Sequence, residues 1–124
     1  MQYELLSVVY RSLARNEYRE VILNSATIIE KTLKDQIIIY LDSVHTIEIV
    51  KNQILESANG CNKLLKLMSK FNLSVDNKVR IENTMKVRNR VIHGGYFPDK
   101  YEVEEAIKTV KLILEQYKVP LFIH

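Results

Sequence analysis

Apolar residues recur three or four positions apart along nearly the whole chain, which is the period of an amphipathic α-helix. The most regular stripe lies near the C-terminus and contains Val103, Ala106, Val110 and Ile113. The spacing predicts helices over the segments Gln2–Arg15, Glu17–Leu41, two shorter ones inside Asp42–Phe71, Ser74–His93 and Asp99–Lys118. We therefore expect an all-α fold, a single domain of residues 1–124 that forms an antiparallel bundle of about five helices.

Polar residues indicate where several of these helices begin. Asp42 or Ser43 is placed to cap the third helix, and Ser74 is placed to cap the helix that ends near His93. The pattern Asp99-x-x-Glu102 resembles a capping box in which Asp replaces the usual Ser or Thr.

Glycine and asparagine indicate where helices end, because they adopt the left-handed conformation of a helix C-terminus at low steric cost. We expect such ends at Asn16 and at the pair Gly94-Gly95. The step Ala58-Asn59-Gly60 predicts a turn, and Pro120 follows the predicted end of the last helix.

One stretch is ambiguous, because the β-branched run Ile37-Ile38-Ile39 is also compatible with a short strand. Helical periodicity continues on both sides of the run, so helix is the preferred interpretation.

Composition supports the helical prediction and narrows the protein class. Of the 124 residues, 47% are apolar and 27% are charged, with three glycines and two prolines. This is the mixture of a globular domain, and it lacks the turn residues of a β-sandwich or barrel. No long apolar run or signal peptide is evident, so we expect a cytoplasmic protein that does not enter a membrane.

The chain offers little material for a metal or cofactor site. Cys61 is its single cysteine, which excludes an intrachain disulfide and any zinc site built from paired cysteines. His45 and the C-terminal His124 have no evident second ligand, and no phosphate-binding glycine loop precedes a helix. We expect neither a metal nor a cofactor, and we expect Cys61 to be a partly buried free thiol.

Positive charge is concentrated in one segment. The net charge is +3, from 18 Lys and Arg residues against 15 Asp and Glu residues. The segment 78–90 alone carries a net +4, so the remainder of the chain is close to neutral. Its five bases are Lys78, Arg80, Lys86, Arg88 and Arg90.

The end of this basic segment carries the candidate chemistry. Arg88, Asn89 and His93 place a permanent cation, an amide and an imidazole within six residues. Histidine moves protons near neutral pH, and the planar guanidinium of arginine matches phosphate oxygens. These are the groups that cleavage of a phosphodiester without metal requires.

The spacing of these residues raises a geometric difficulty. Asn89 and His93 share a helix face, but Arg88 and His93 are about 140° apart on an ideal helix. They can meet if the long arginine swings across, if the last turn distorts at the glycines, or if a second subunit completes the site.

The segment Arg88-Asn89-x-x-x-His93, near the end of the penultimate helix, resembles the signature of the HEPN superfamily. The Gly-Gly-Tyr-x-Pro connector and the helix over Asp99–Lys118 are similar to the C-terminal end of that family. The region from Asn16 through Lys31 resembles its long second helix. The resemblance covers most of the chain, although its sharp motif is the arginine and histidine pair.

The resemblance implies a helical bundle that forms a two-fold homodimer with a shared RNA-cleaving cleft. It implies that His93 transfers the proton or activates the 2′-hydroxyl, that Arg88 stabilises the scissile phosphate, and that Asn89 orients it. The products would be a 2′,3′-cyclic phosphate and a 5′-hydroxyl. The other expected RNA contacts come from Lys78, Arg80, Lys86, Arg90 and Tyr96.

Three functional interpretations are open at this point. The first is a metal-independent endoribonuclease of HEPN type, in a toxin or phage-defence setting that can include an antitoxin or another partner protein. Toxin members carry Tyr two positions after the histidine, whereas this chain has Gly95 there and Tyr96 one place later. The second is a non-catalytic HEPN module that binds a nucleotide or a protein. The third and weakest is a DNA-binding helix over 78–90.

Overall fold

A computed structural model describes residues 2–118 of the chain. Within these residues there are six α-helices and no strand: α1 Gln2–Ala14, α2 Tyr18–Ser43, α3 Glu48–Ser57, α4 Cys61–Lys70, α5 Lys78–Gly94 and α6 Lys100–Gln116. The all-α prediction is confirmed. The described residues hold six helices, one more than the approximate five expected for the bundle, and the two shorter helices predicted inside Asp42–Phe71 are present as separate ten-residue helices. Pro120 and His124 lie outside the described residues.

Helix α2 is the centre of the bundle. It packs against each of the other five helices, and α5 also packs against α6. The largest completely buried side chains come from every helix except α3, and they include Val9, Ile22, Ile29, Leu33, Ile37, Met68, Ile81, Val91, Ile113 and Leu114. Burial of each such side chain contributes about 1.5–3 kcal/mol, so this one core holds α5 in place against α2 and α6.

The β-branched run in α2 is helical, as preferred from the sequence. Ile37 is completely buried, whereas Ile39 is 60% exposed. In a strand, residues two positions apart lie on the same face, but in a helix they lie about 200° apart. The opposite burial of these two side chains follows from helical geometry.

Left-handed residues terminate several helices. Asn16, His45 and Asn72 have φ values of 57°, 58° and 55°. In each case the next residue donates its N–H to a carbonyl five positions back, at distances of 2.9, 3.0 and 2.8 Å. Such bonds satisfy carbonyls left free at a helix end. The predicted end at Asn16 is confirmed, and Gly95 (φ 63°) follows the end of α5 as expected.

Ser74 does not cap α5, and that prediction is wrong. The helix begins at Lys78, after Asn77, which has a left-handed backbone and makes no side-chain capping bond. The Ser74 carbonyl instead accepts hydrogen bonds from the Tyr117 hydroxyl (2.8 Å) and from Gln116 Nε2 (3.1 Å). The segment before α5 is therefore a connector fixed by the end of α6.

The expected cap of α3 is also wrong. Asp42 and Ser43 belong to the last turn of α2, and α3 begins after Ile47 without a side-chain capping bond. Asp42 instead forms an ion pair with Lys51, with 3.0 Å between Oδ1 and Nζ. The Ala58-Asn59-Gly60 step connects α3 to α4, with a bend at Gly60, whose φ is 91°.

The capping box of α6 is confirmed. Asp99 Oδ1 accepts the N–H of Glu102 at 2.8 Å, and Glu102 Oε1 accepts the N–H of Asp99 at 3.0 Å. These bonds fix the start of α6 directly after the connector from α5. None of the helices in the described part of the chain combines the length and apolarity needed to cross a membrane.

Candidate functional site

The C-terminal end of α5 presents His93 and Asn89 to solvent. Both residues are exposed, and Asn89 lies one helical turn before His93. Neither side chain forms a hydrogen bond or ion pair with another residue of the described chain. The helix then stops at Gly94, and the Tyr96 N–H donates to the Arg90 carbonyl at 3.2 Å. The imidazole is therefore available to an incoming substrate.

Arg88 points in another direction, towards α2. Its Nη1 lies 3.2 Å from Glu30 Oε1, and the two side chains are only 24% and 29% exposed. Arg88 Nε is buried and has no hydrogen-bond partner within residues 2–118. The guanidinium therefore lies between α2 and α5 with its charge balanced by Glu30, although Glu30 Oε1, like Arg88 Nε, makes no hydrogen bond within residues 2–118.

The chain does not bring Arg88 and His93 together within one molecule. Helix α5 stays helical through His93, so the distortion of the last turn considered from the sequence is not observed. The arginine has not swung across either, because it is paired with Glu30. Two of the three arrangements considered from the sequence are therefore not observed.

Cys61 adjoins the Arg88–Glu30 pair but is not a nucleophile. The thiol is buried, and this burial is the main reason that its pKa rises from 9.0 to about 12. The charge of Glu30 raises the pKa further, while that of Arg88 opposes the change. The thiol stays protonated at neutral pH, which makes it unreactive.

The predicted RNA-contacting cations fall into two groups. Lys78 and Lys86 are exposed and make no ion pair within the described residues. Arg80 is paired with Glu105 at 3.0 Å. Arg90 lies 3.8 Å from a Glu102 carboxylate oxygen, so its charge is also partly compensated. The two lysines are therefore the cations most available to phosphates.

Tyr96 is fixed against α5 and α6. The Arg90 guanidinium lies 3.7 Å from the centroid of its ring, and its hydroxyl donates to Glu102 Oε1 at 2.5 Å. This hydrogen bond is the largest cause of a raised Tyr96 pKa. The phenol is therefore a neutral donor that anchors the connector.

Two side chains next to this helix end were not identified from the sequence. Arg19, at the start of α2, donates from Nη2 to the Val91 carbonyl at 3.4 Å. Its guanidinium lies 5.1 Å from the ring centroid of Phe97, and that ring is 76% exposed. Phe97 could have been identified from the sequence, because it is an aromatic residue in a connector beside a candidate site. No pattern in the neighbouring sequence predicts the hydrogen bond from Arg19 to the Val91 carbonyl.

Glu30 was also missed as a site residue. It follows Ile29, a completely buried residue of the α2 stripe, so its carboxylate lies at the edge of the core. An acidic residue at such an edge requires a partner, and the sequence offers several cations as candidates. The identity of that partner depends on how α5 packs against α2.

One cavity adjoins α5, and another adjoins the connector that follows it. One of about 300 Å³ lies between α5 and α6 and is lined by residues that include Arg80, Lys86, Tyr101 and Glu105. The other, of about 370 Å³, lies between the start of α2 and the α5–α6 connector, with Arg19 and Phe97 among its lining residues.

No metal centre is evident among residues 2–118, where no three His, Cys, Asp or Glu side chains are placed to hold an ion. Comparison with known proteins gives no relative: no family model, no curated protein and no solved structure matches the chain.

Proposed function

We propose that this protein is a metal-independent endoribonuclease of HEPN type that acts as a homodimer. The observation that carries the proposal is the exposed, unpartnered imidazole of His93, with Asn89 on the same face of α5. The same helix carries Lys78 and Lys86, two exposed cations suited to phosphates.

The proposed reaction uses the 2′-hydroxyl of RNA as the nucleophile. His93 takes the proton from this hydroxyl, and the oxygen attacks the adjacent phosphorus. The bond from phosphorus to the 5′-oxygen breaks, the leaving oxygen takes up a proton from water, and His93 returns its own proton to water. The products are a 2′,3′-cyclic phosphate and a 5′-hydroxyl, and DNA is not a substrate because it lacks the nucleophile.

In this mechanism Arg88 stabilises the charge that grows on the phosphate oxygens. A guanidinium has five N–H donors, so Arg88 can contact Glu30 and a phosphate at the same time. Glu30 is then a positioning residue, which keeps Arg88 in one orientation. Holding a charged group in place before the reaction is a large source of catalysis in many enzymes.

The proposal includes a homodimer because Arg88 and His93 point in different directions within one chain. In a two-fold interface each subunit contributes the same surface, so the His93 of one chain can approach the Arg88 of the other. Such a dimer has a mass of about 29 kDa, twice that of the 14.5 kDa chain.

The test combines product analysis with a matched pair of histidine variants. Purified protein is incubated with single-stranded RNA in excess EDTA, and the ends of the products are identified. We expect cyclic phosphate ends and at least a 100-fold loss of rate in His93→Ala. His45→Asn is the control, because His45 is also exposed and asparagine tolerates its left-handed backbone.

Circular dichroism and light scattering accompany these assays, and both variants should keep the helical signal and the dimer mass. A folded His93→Ala protein that still cuts RNA overturns the mechanism. A strictly monomeric native protein overturns the shared site.

One observation favours a second candidate, a non-catalytic module that binds a nucleotide or a partner protein. Arg88 is about three-quarters buried and its charge is balanced by Glu30, as expected of a structural ion pair. A native protein that binds RNA or nucleotides but cleaves none of a broad set of RNAs supports this candidate over the nuclease.

A further inference from the structure

We propose that Phe97 and the cavity beside it form a nucleobase-binding subsite that prefers bases with an exocyclic amino group. The inference rests on the proposed ribonuclease function and adds to it a substrate class, single-stranded RNA with adenine, cytosine or guanine beside the scissile phosphate. It assigns a role to side chains that the cleavage chemistry does not use.

Phe97 has the properties of a stacking platform. Its ring is 76% exposed, although it lies in a connector whose two neighbouring residues are held in place. Pro98 is buried, and the Tyr96 hydroxyl is bonded to Glu102. An exposed aromatic ring on a fixed backbone loses little conformational entropy when a base stacks on it, and every base presents a face that can stack.

Arg19 further restricts the ring. Its guanidinium lies over Phe97 at 5.1 Å from the centroid and is itself tied to the Val91 carbonyl near the end of α5. The cation therefore covers part of the ring and links it to the helix that carries His93. Only Gly94, Gly95 and Tyr96 separate His93 from Phe97 along the chain, so the platform lies in the connector that directly follows the helix of the proposed reaction centre.

The adjacent cavity has the size and the polarity for a base. Its volume of about 370 Å³ falls within the range of about 300–1,000 Å³ found for small-molecule sites. Glu17 and Glu20 line it together with Asn16. These two carboxylates outnumber Arg19, the one cation in the lining, although Glu17 also lies 4.0 Å from Arg15. The acidic excess disfavours a phosphate in the cavity, so the RNA backbone belongs on the lysine-bearing side of α5.

The same carboxylates determine which bases fit. Adenine, cytosine and guanine carry an amino group that donates a hydrogen bond to a carboxylate, and glutamate is a known acceptor from cytosine. Uracil has no amino group, and its one donor on this edge, N3–H, lies between two carbonyl oxygens that repel a carboxylate. The subsite therefore discriminates against uracil while it tolerates the other three bases.

The experiment measures binding without cleavage, so that it is independent of the chemical step. The His93→Ala protein is titrated with fluorescently labelled oligoadenylate, oligocytidylate and oligouridylate, each about eight nucleotides long, and anisotropy reports the affinity. We expect weaker binding of oligouridylate. A further Phe97→Ala change should weaken oligoadenylate binding by about 5- to 100-fold, while Phe97→Trp should retain it.

Two further variants test the details. Tyr10→Ala is the matched control, since Tyr10 is an exposed aromatic residue of α1 that lines neither cavity, and its loss should leave the oligoadenylate affinity within about twofold. The double variant Glu17→Gln with Glu20→Gln should abolish the discrimination against oligouridylate, because an amide can donate to the carbonyls of uracil.

The outcomes separate this inference from the proposed function. Unchanged oligoadenylate binding in Phe97→Ala, in a native protein that does cleave RNA, overturns the subsite alone. A native protein that neither binds nor cleaves RNA overturns both. A Phe97→Ala protein that sediments as a monomer where the native protein is a dimer shows that the ring belongs to a protein interface, which also overturns the subsite.

Discussion

Arg88 Nη1 lies 3.2 Å from Glu30 Oε1, and this ion pair joins α5 to α2 beside the core. Both side chains are mostly withdrawn from water, so the attraction between them is screened less than that of a surface pair. The pair fixes the direction of Arg88 relative to His93. It therefore affects both the stability of the bundle and the site that the bundle carries.

The first prediction is that Glu30 and Arg88 stabilise the fold as a coupled pair. A double-mutant cycle of Glu30→Gln and Arg88→Gln, followed by urea denaturation, should give a coupling energy of about 0.5–3 kcal/mol. Each single variant leaves the other charge partly buried without its partner, which is the physical reason for the coupling.

The exposed pair Lys100 and Glu104, with 3.9 Å between its charged atoms, provides the control cycle. Its coupling should be about 0–0.5 kcal/mol, as for helix surface pairs in general. If the two cycles give equal values, the Arg88–Glu30 pair contributes no more than a surface contact.

The second prediction uses the run of isoleucines in α2. Ile37→Ala should lower the free energy of unfolding by about 2–5 kcal/mol, because it removes a completely buried side chain. Ile39→Ala should change it by less than about 0.5 kcal/mol, because that side chain is exposed. Thermal or urea denaturation measures both. Similar losses at the two positions would contradict the helical placement of the run.

This contrast between Ile37 and Ile39 also shows what sequence could predict. Which face of a helix is buried depends on the helical period, and the order of apolar residues along the sequence shows that period. The ends at Asn16 and Gly95 and the capping box of Asp99 depend on residues within one turn of each other, so they too were predicted correctly.

The failures have a common cause in contacts between distant parts of the chain. Ser74 has the side chain of a helix cap, but its carbonyl accepts hydrogen bonds from Gln116 and Tyr117, which lie 42 and 43 residues later in the chain. The partner of Arg88 is on α2 and that of Val91 is Arg19, and no local pattern specifies either pairing. The candidate residues were visible in the sequence, but their relative directions were set by packing.

The third prediction is a loss of stability at alkaline pH. Burial raises the pKa of Cys61 from 9.0 to about 12 and that of Tyr117 from 10.0 to about 12, with the charge of Asp76 adding to the latter. The folded state therefore holds both protons more tightly than the unfolded state. This stabilisation is complete below about pH 9 and is lost as the pH rises from there to about 12.

Urea denaturation at a series of pH values measures this effect. Cys61→Ala and Tyr117→Phe should each make the decline above pH 9 shallower, although each lowers the stability at pH 7 by removing packing or the hydrogen bond to Ser74. A decline of unchanged slope in both variants would mean that other groups cause it.

The fourth prediction concerns the salt dependence of RNA binding, measured with the His93→Ala protein and single-stranded RNA. Lys78 and Lys86 are exposed and unpaired within residues 2–118, so each should neutralise one phosphate and release its counterions. Replacing both by glutamine should reduce the slope of log affinity against log salt by about 1.4, from about 0.7 per phosphate on a single strand.

The control for this experiment is the same double change at Lys66 and Lys70, which are exposed on α4. It lowers the net charge of the protein equally, so it removes the same long-range attraction without touching α5. We expect the α4 variant to keep the native slope. Equal reductions in the two variants would show that RNA responds to the overall charge of the protein, and that α5 does not carry the phosphate contacts.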